Sequence, residues 1–196
     1  MARVYVMKTG QTTWEQQGRV ESAAGAPLTD AGEDHAAQAA GGLAAHPIAA
    51  VYASRGQAER QTAEIVARQL GVKVRIAPNL REIDYGLWQG LTKDEIQRRN
   101  PRVFRHWEED PSAVRPPDGE TLQEAQERIR LAVLAVLKRH KAQAEVLLVL
   151  RPVVLGLLRC LIESTDVNSF WKHLDGEFTW TCYELSAATL NRSRHG

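Results

Sequence analysis

A chain of 196 residues can enclose one full-sized hydrophobic core without metals or disulfides to hold it. Lys and Arg number 25 against 24 Asp and Glu, so the formal net charge of +1 supplies no general attraction to nucleic acid or an anionic membrane, and any anion site must be local. No apolar segment of signal-peptide type opens the chain, and the most apolar stretch, residues 146–158, is broken by Arg151 and Pro152, which predicts a cytoplasmic protein. Cys160 and Cys182 stand far apart in apolar contexts and are expected as buried free thiols of a reducing compartment.

The apolar run from Ala2 reads as a first strand leading into the loop Lys8-Thr9-Gly10-Gln11-Thr12, with Trp14 and Gly18-Arg19 beyond it. Pro27-Leu28-Thr29-Asp30-Ala31-Gly32 precedes an Ala-rich helix, with Thr29 as its N-cap and Pro47 past its end. Residues 48–53 are apolar and β-branched without alternation, as in a strand covered on both faces. A helix is predicted over residues 54–70, with Ala63, Val66, Ala67 and Leu70 at helical spacing and Gly71 as its stop. Residues 72–76 form a short third strand.

Residues 80–119 change character, being rich in charge, Trp and Pro. They predict a helical insertion, about residues 84–118, over the functional face, with a short helix opened by Thr92 and Glu95 as a capping box. Asp110-Pro111 and Pro116-Pro117-Asp118-Gly119 mark loops. A long helix over residues 121–140 opens on a second capping box, Thr121 with Glu124, and carries Leu122, Ala125, Ile129, Ala132, Val133 and Val136 on one face. Residues 146–150 read as a buried strand, Pro152 starts another helix, and residues 178–185 form the last strand. Alternating strands and helices predict one α/β domain over residues 1–196, a three-layer α/β/α sandwich with a mainly parallel sheet. The scattered tryptophans suit core or lid packing rather than a base-stacking platform. No zinc spacing, Walker loop, dinucleotide fingerprint or serine elbow is present, so neither metal nor cofactor is expected.

Several blocks, in order and at fitting spacing, resemble the histidine phosphatase superfamily, the phosphoglycerate mutase-like proteins. Lys8-Thr9-Gly10-Gln11-Thr12 with Trp14 and Gly18-Arg19 occupies the frame of the family's Arg-His-Gly-Glu-Thr loop. Ala26-Pro27-Leu28-Thr29 with Gly32, Val51-Tyr52-Ala53-Ser54 with Gln61-Thr62-Ala63, the segment Leu80-Arg81-Glu82, and Pro116-Pro117-Asp118-Gly119-Glu120-Thr121 match later blocks. The resemblance covers residues 4 to about 185 and implies a phosphoglycerate mutase-like fold. In such proteins a neutral histidine attacks phosphorus, a second histidine and two arginines hold the phosphoryl oxygens, and a Glu or Asp protonates the leaving group.

On this resemblance the first arginine position is Lys8, the nucleophile position Thr9, the second arginine position at or near Ala58, and the second histidine position Arg151; the acid position keeps Glu82. A threonine hydroxyl is a poor nucleophile without an adjacent base, and the six histidines, His35, His46, His106, His140, His173 and His195, all lie outside the two catalytic loops. Arg151 cannot serve as acid or base near neutral pH. Lys8 and Arg151, with Gly10 and with Arg55 as the substitute for the missing arginine, could form an anion pocket at strand ends, or the two charges could be paired with carboxylates such as Glu82. Glu82 itself is either a remaining general acid or a counter-charge. The expectation is a histidine-phosphatase-like pseudoenzyme serving as a binding or regulatory module, with a phosphate-bearing small molecule or a protein as partner, no nucleic acid or membrane partner, and a homo-oligomer open. The alternative is an active phosphomonoesterase or mutase with an unconventional site.

Overall fold

Strand and helix alternate as the hydrophobic pattern requires. The computed structural model describes residues 1–22, 24–140, 143–173 and 180–191. Strand β1 (Ala2–Lys8) runs into the short helix α1 (Thr13–Gln16), and α2 (Asp30–Leu43) follows. Next come β2 (Ile48–Ala53), α3 (Gln57–Leu70) and β3 (Val74–Ile76). The insertion holds α4 (Lys93–Arg99) and α5 (Pro101–Glu109) between 3-10 turns at Pro78–Leu80, Gly86–Trp88 and Pro111–Ala113. The chain then returns through α6 (Leu122–Lys138), β4 (Glu145–Leu150), α7 (Pro152–Glu163), a 3-10 stretch at Val167–His173, β5 (Trp180–Leu185) and α8 (Ala187–Asn191).

The sheet order is β3-β2-β4-β1-β5, parallel throughout except that β5 runs antiparallel to β1. The side-chain period of two divides the central strands between two cores. Val4, Val6, Val146, Leu148 and Leu150 pack with α6, α7 and the insertion, while Tyr5, Met7, Leu147 and Val149 pack with α2 and α3. β4, buried at every position, is apolar on both faces because helices cover both. This is the three-layer α/β/α sandwich.

Local chemistry sets the boundaries. Thr29 accepts from the Gly32 amide, Gly71 adopts the left-handed conformation (φ 68°) that ends α3, and both capping boxes close. The second helix of the sheet begins at Gln57 rather than at residue 54, because the Ser54 hydroxyl accepts from the Gly56 amide and donates to Glu59, holding the preceding residues in a turn. A Cβ at Gly56 would come within 2.4 Å of the Glu59 carboxylate. β3 starts later than expected because the Val72 amide is drawn back to the Ala67 carbonyl at the helix end. β4 starts one residue earlier, at Glu145, a buried carboxylate satisfied by Arg3 and the Tyr5 hydroxyl. The long helix ends at Lys138, and His140 beyond it contacts the Tyr52 hydroxyl. Residues 178 and 179 of the expected last strand lie outside the described residues.

Cys160 is buried, but Cys182 is exposed: β5 is an edge strand, and the helical cover thins there despite the apolar sequence. Among the described residues no helix is long and apolar enough to cross a membrane.

The register of β1 against β4 places Lys8 opposite Leu150, and the Thr9 amide donates to the Leu150 carbonyl at 2.9 Å. Thr9 and Arg151 therefore leave the sheet side by side at its carboxyl edge, where open parallel sheets hold their ligands. Gly10 fixes this exit, since a Cβ there would lie 2.3 Å from the Gly32 carbonyl oxygen. Gly10→Ala is expected to destabilise the fold by about 1–3 kcal/mol, because backbone must move to admit the methyl group; urea denaturation measures the loss.

Candidate active site

The carboxyl ends of β1 and β4 bring together Thr9 and Arg151, which are fully buried or nearly so. The Arg151 guanidinium donates through Nη1 to the Thr9 hydroxyl at 3.0 Å and pairs through Nη2 with Glu21 Oε1 at 2.6 Å. Glu21, in the loop after α1, also accepts from the Thr12 hydroxyl, which at the same time caps α1 by accepting from the Glu15 amide at 2.9 Å. Arg151 is the N-cap residue of α7, with Pro152 in the first turn where its missing N–H costs little.

Glu82 lies 2 % exposed behind this pair, and its Oε1 accepts from the Ile83 amide at 2.8 Å. Burial pushes its carboxyl up to about 7, against the opposing pull of the Arg151 charge, with Glu59 and Glu21 adding to the rise. Glu59, bound to Ser54 at 2.9 Å, is raised in the same way, chiefly by desolvation and again opposed by Arg151. Burial followed by the field of Glu82 drives the Tyr85 phenol well above its ordinary range. The inner site is thus one guanidinium among Glu21, Glu59 and Glu82.

Other expected residues are placed differently. Lys8 pairs with Glu15 at 3.1 Å, a part-exposed bridge of modest worth. The Gly10 amide donates to the Thr62 hydroxyl at 3.1 Å and is already satisfied. Ala58 is fully buried on α3, and Arg55 is exposed on the turn before it. His46, His140 and His173 contact Tyr5, Tyr52 and Glu163, away from Thr9, and His195 lies outside the described residues.

The insertion roofs the site. A cavity of about 300 Å³ opens above Glu21, Glu82 and Arg151, walled by Tyr85, Trp88, Ile96, Phe104, Trp107 and Trp171. The Trp88 and Trp107 rings stand at 90° with centroids 5.8 Å apart, and Trp107 and Trp171 stand at 86° and 6.5 Å. Glu21 and Glu59 could not be found from the sequence as partners of Arg151, which is remote from both along the chain. Nor did the sequence reveal that Trp88, Trp107 and Trp171 converge on one cavity.

The chain belongs to the histidine phosphatase superfamily (branch 1), whose sequence profile matches residues 4–192. It is 26% identical over 171 residues to phosphoserine phosphatase 1 of Hydrogenobacter thermophilus, covering 87% of this chain and 81% of that protein. It is 32% identical over 137 residues to a probable phosphoglycerate mutase of Cronobacter sakazakii, covering 70% of this chain and 64% of the relative. A bifunctional protein of Mycobacterium tuberculosis is 32% identical over 88% of this chain, which spans only 48% of that relative. Among solved structures, Bacillus stearothermophilus YhfR superposes with a TM-score of 0.83 at 32% identity, over 87% of this chain and 84% of that one. Phosphatases and mutases are thus both named among its relatives.

Removing Arg151 would leave Glu21 buried without its partner. Arg151→Met is expected to cost about 3–5 kcal/mol in chemical denaturation. Glu82 gives a pH signature of known sign. Its folded value, about 7, lies above its ordinary 4.5, so the unfolded chain releases the proton first. Native stability should fall as the pH rises from about 4.5 to about 7 and level off above. Glu82→Gln should remove that part of the fall, up to about 3 kcal/mol, in denaturation curves measured across this range.

Proposed function

We propose that this chain is a binding member of the superfamily that has given up phosphoryl transfer. The observation carrying this reading is the Arg151–Thr9 hydrogen bond, between the two residues that the family resemblance assigns to the histidine positions. A hydroxyl that accepts from a guanidinium gains no proton acceptor from that bond, and Arg151 cannot become one. A phosphoryl group would moreover have to enter beside Glu21, Glu59 and Glu82, with the Arg151 charge already matched by Glu21 and that of Lys8 by Glu15. Ion pairing therefore argues against the anion pocket and for the counter-charge role of the carboxylates.

A second reading, an active phosphomonoesterase or mutase with an unconventional site, is favoured by the names of the relatives and by Glu82. A carboxyl group raised to about 7 is suited to protonating a leaving group at neutral pH. A steady-state assay with phosphoserine, 3-phosphoglycerate and p-nitrophenyl phosphate separates the two. The binding reading expects turnover no greater in the purified chain than in Glu82→Gln and no phosphorylated protein after incubation with a reactive phosphoryl donor. Turnover that disappears in Glu82→Gln, which a contaminating phosphatase would survive, would establish the enzyme reading instead.

A further inference from the structure

The cavity above Arg151 combines features that a phosphate site would not need. At its inner end Glu21 balances Arg151, so any ionisation of Glu82 is surplus negative charge. Its walls are aromatic, and Trp88, Trp107 and Trp171, whose rings follow one another near-perpendicularly, all line the space. Electron-rich ring faces attract organic cations, most strongly when water is excluded. Unpartnered buried polar atoms also gather here. Among the described residues, Glu15 Oε2, Glu21 Oε2, Trp88 Nε1 and Arg151 Nε have no hydrogen-bond partner, and all four residues line the cavity. Such groups are costly to bury unless something completes them. The carboxylate oxygens call for a donor, and the indole and guanidinium N–H groups for an acceptor.

The rim is charged in both signs. Arg19 donates to the Gly90 carbonyl and lies 3.8 Å from Glu95, while Lys93 and Glu108 are exposed on the insertion. These charges lie at the entrance, and the deep end keeps its carboxylate excess.

We propose that the cavity binds a small organic ammonium compound with an aromatic or apolar body and a neutral oxygen acceptor, its cationic group seated on Glu21 and Glu82 and its body against Trp88, Trp107 and Trp171. The proposal rests on the binding reading of the site and names the ligand class for it. The cavity size admits a ligand of this kind and excludes a peptide or nucleic-acid strand.

An isosteric series tests it by isothermal titration calorimetry on the whole chain: tyramine, the corresponding neutral alcohol 4-hydroxyphenethyl alcohol, the anion 4-hydroxyphenylacetate, and inorganic phosphate. Tyramine should bind at millimolar concentration or below and about tenfold more tightly than the alcohol, with the anion and phosphate weaker still. Trp171→Ala, at a ring already 40% exposed and therefore tolerant of truncation, should weaken tyramine about threefold. Glu82→Gln should bring tyramine and the alcohol close together. Equal binding of tyramine and the alcohol by the native chain, tighter binding of either anion, or no binding of tyramine would overturn the proposal. Turnover of phosphate esters alongside tyramine binding would sink the binding reading alone, whereas absence of both would sink the ligand assignment alone.

Discussion

The buried pair between Arg151 and Glu21 is the interaction on which the site depends. A guanidinium that is 2 % exposed at the end of a hydrophobic strand is tenable only with a carboxylate in contact, and Glu21 supplies it from the loop after α1. The pair therefore ties together two segments that meet only because β1 and β4 are hydrogen-bonded neighbours. With Arg151 in place, Thr9 is held as a hydrogen-bond acceptor, and Glu82 and Glu59 are given a local positive charge that offsets part of their burial. Such a buried pair gives little net stability over apolar packing, so its presence speaks more to the shape and charge of the pocket than to holding the fold.

The family relationship and the local electrostatics pull in different directions. Relatives named as phosphatases and mutases share the scaffold, and Glu82 keeps the character of a proton donor near neutrality. The charges of Lys8 and Arg151 are matched within the protein by Glu15 and Glu21. A fold can carry many functions, and function resides in the residues of the pocket.

Much of the architecture was legible because it rests on local rules. The non-alternating strand at residues 48–53, the caps at Thr29, Thr92 and Thr121, and the stop at Gly71 each follow from chemistry within a few residues. Departures arose where a distant or side-chain contact decided the matter. Ser54 and Glu59 delay α3, the Val72 amide is claimed by the end of that helix, and the edge position of β5 exposes Cys182. Thr9 and Arg151, remote in sequence, stand together because β1 and β4 are neighbours in the sheet. Glu21 carried no signal of its own, because nothing in a sequence marks which of many carboxylates will meet a buried arginine from another part of the chain.

Thr12 has a double attachment whose effect reaches beyond the pocket. One hydroxyl oxygen receives the Glu15 amide at the start of α1 while its proton goes to the carboxylate that grips Arg151. Glu15, on the same helical turn, also holds Lys8 at the end of β1. Fraying of α1 and release of the arginine are thus mechanically linked, so that opening one loosens the other. Glu15 also lines the pocket, so a molecule settling beneath the tryptophan roof would slow solvent exchange at its amide, making this short helix a built-in reporter of whether the pocket is filled.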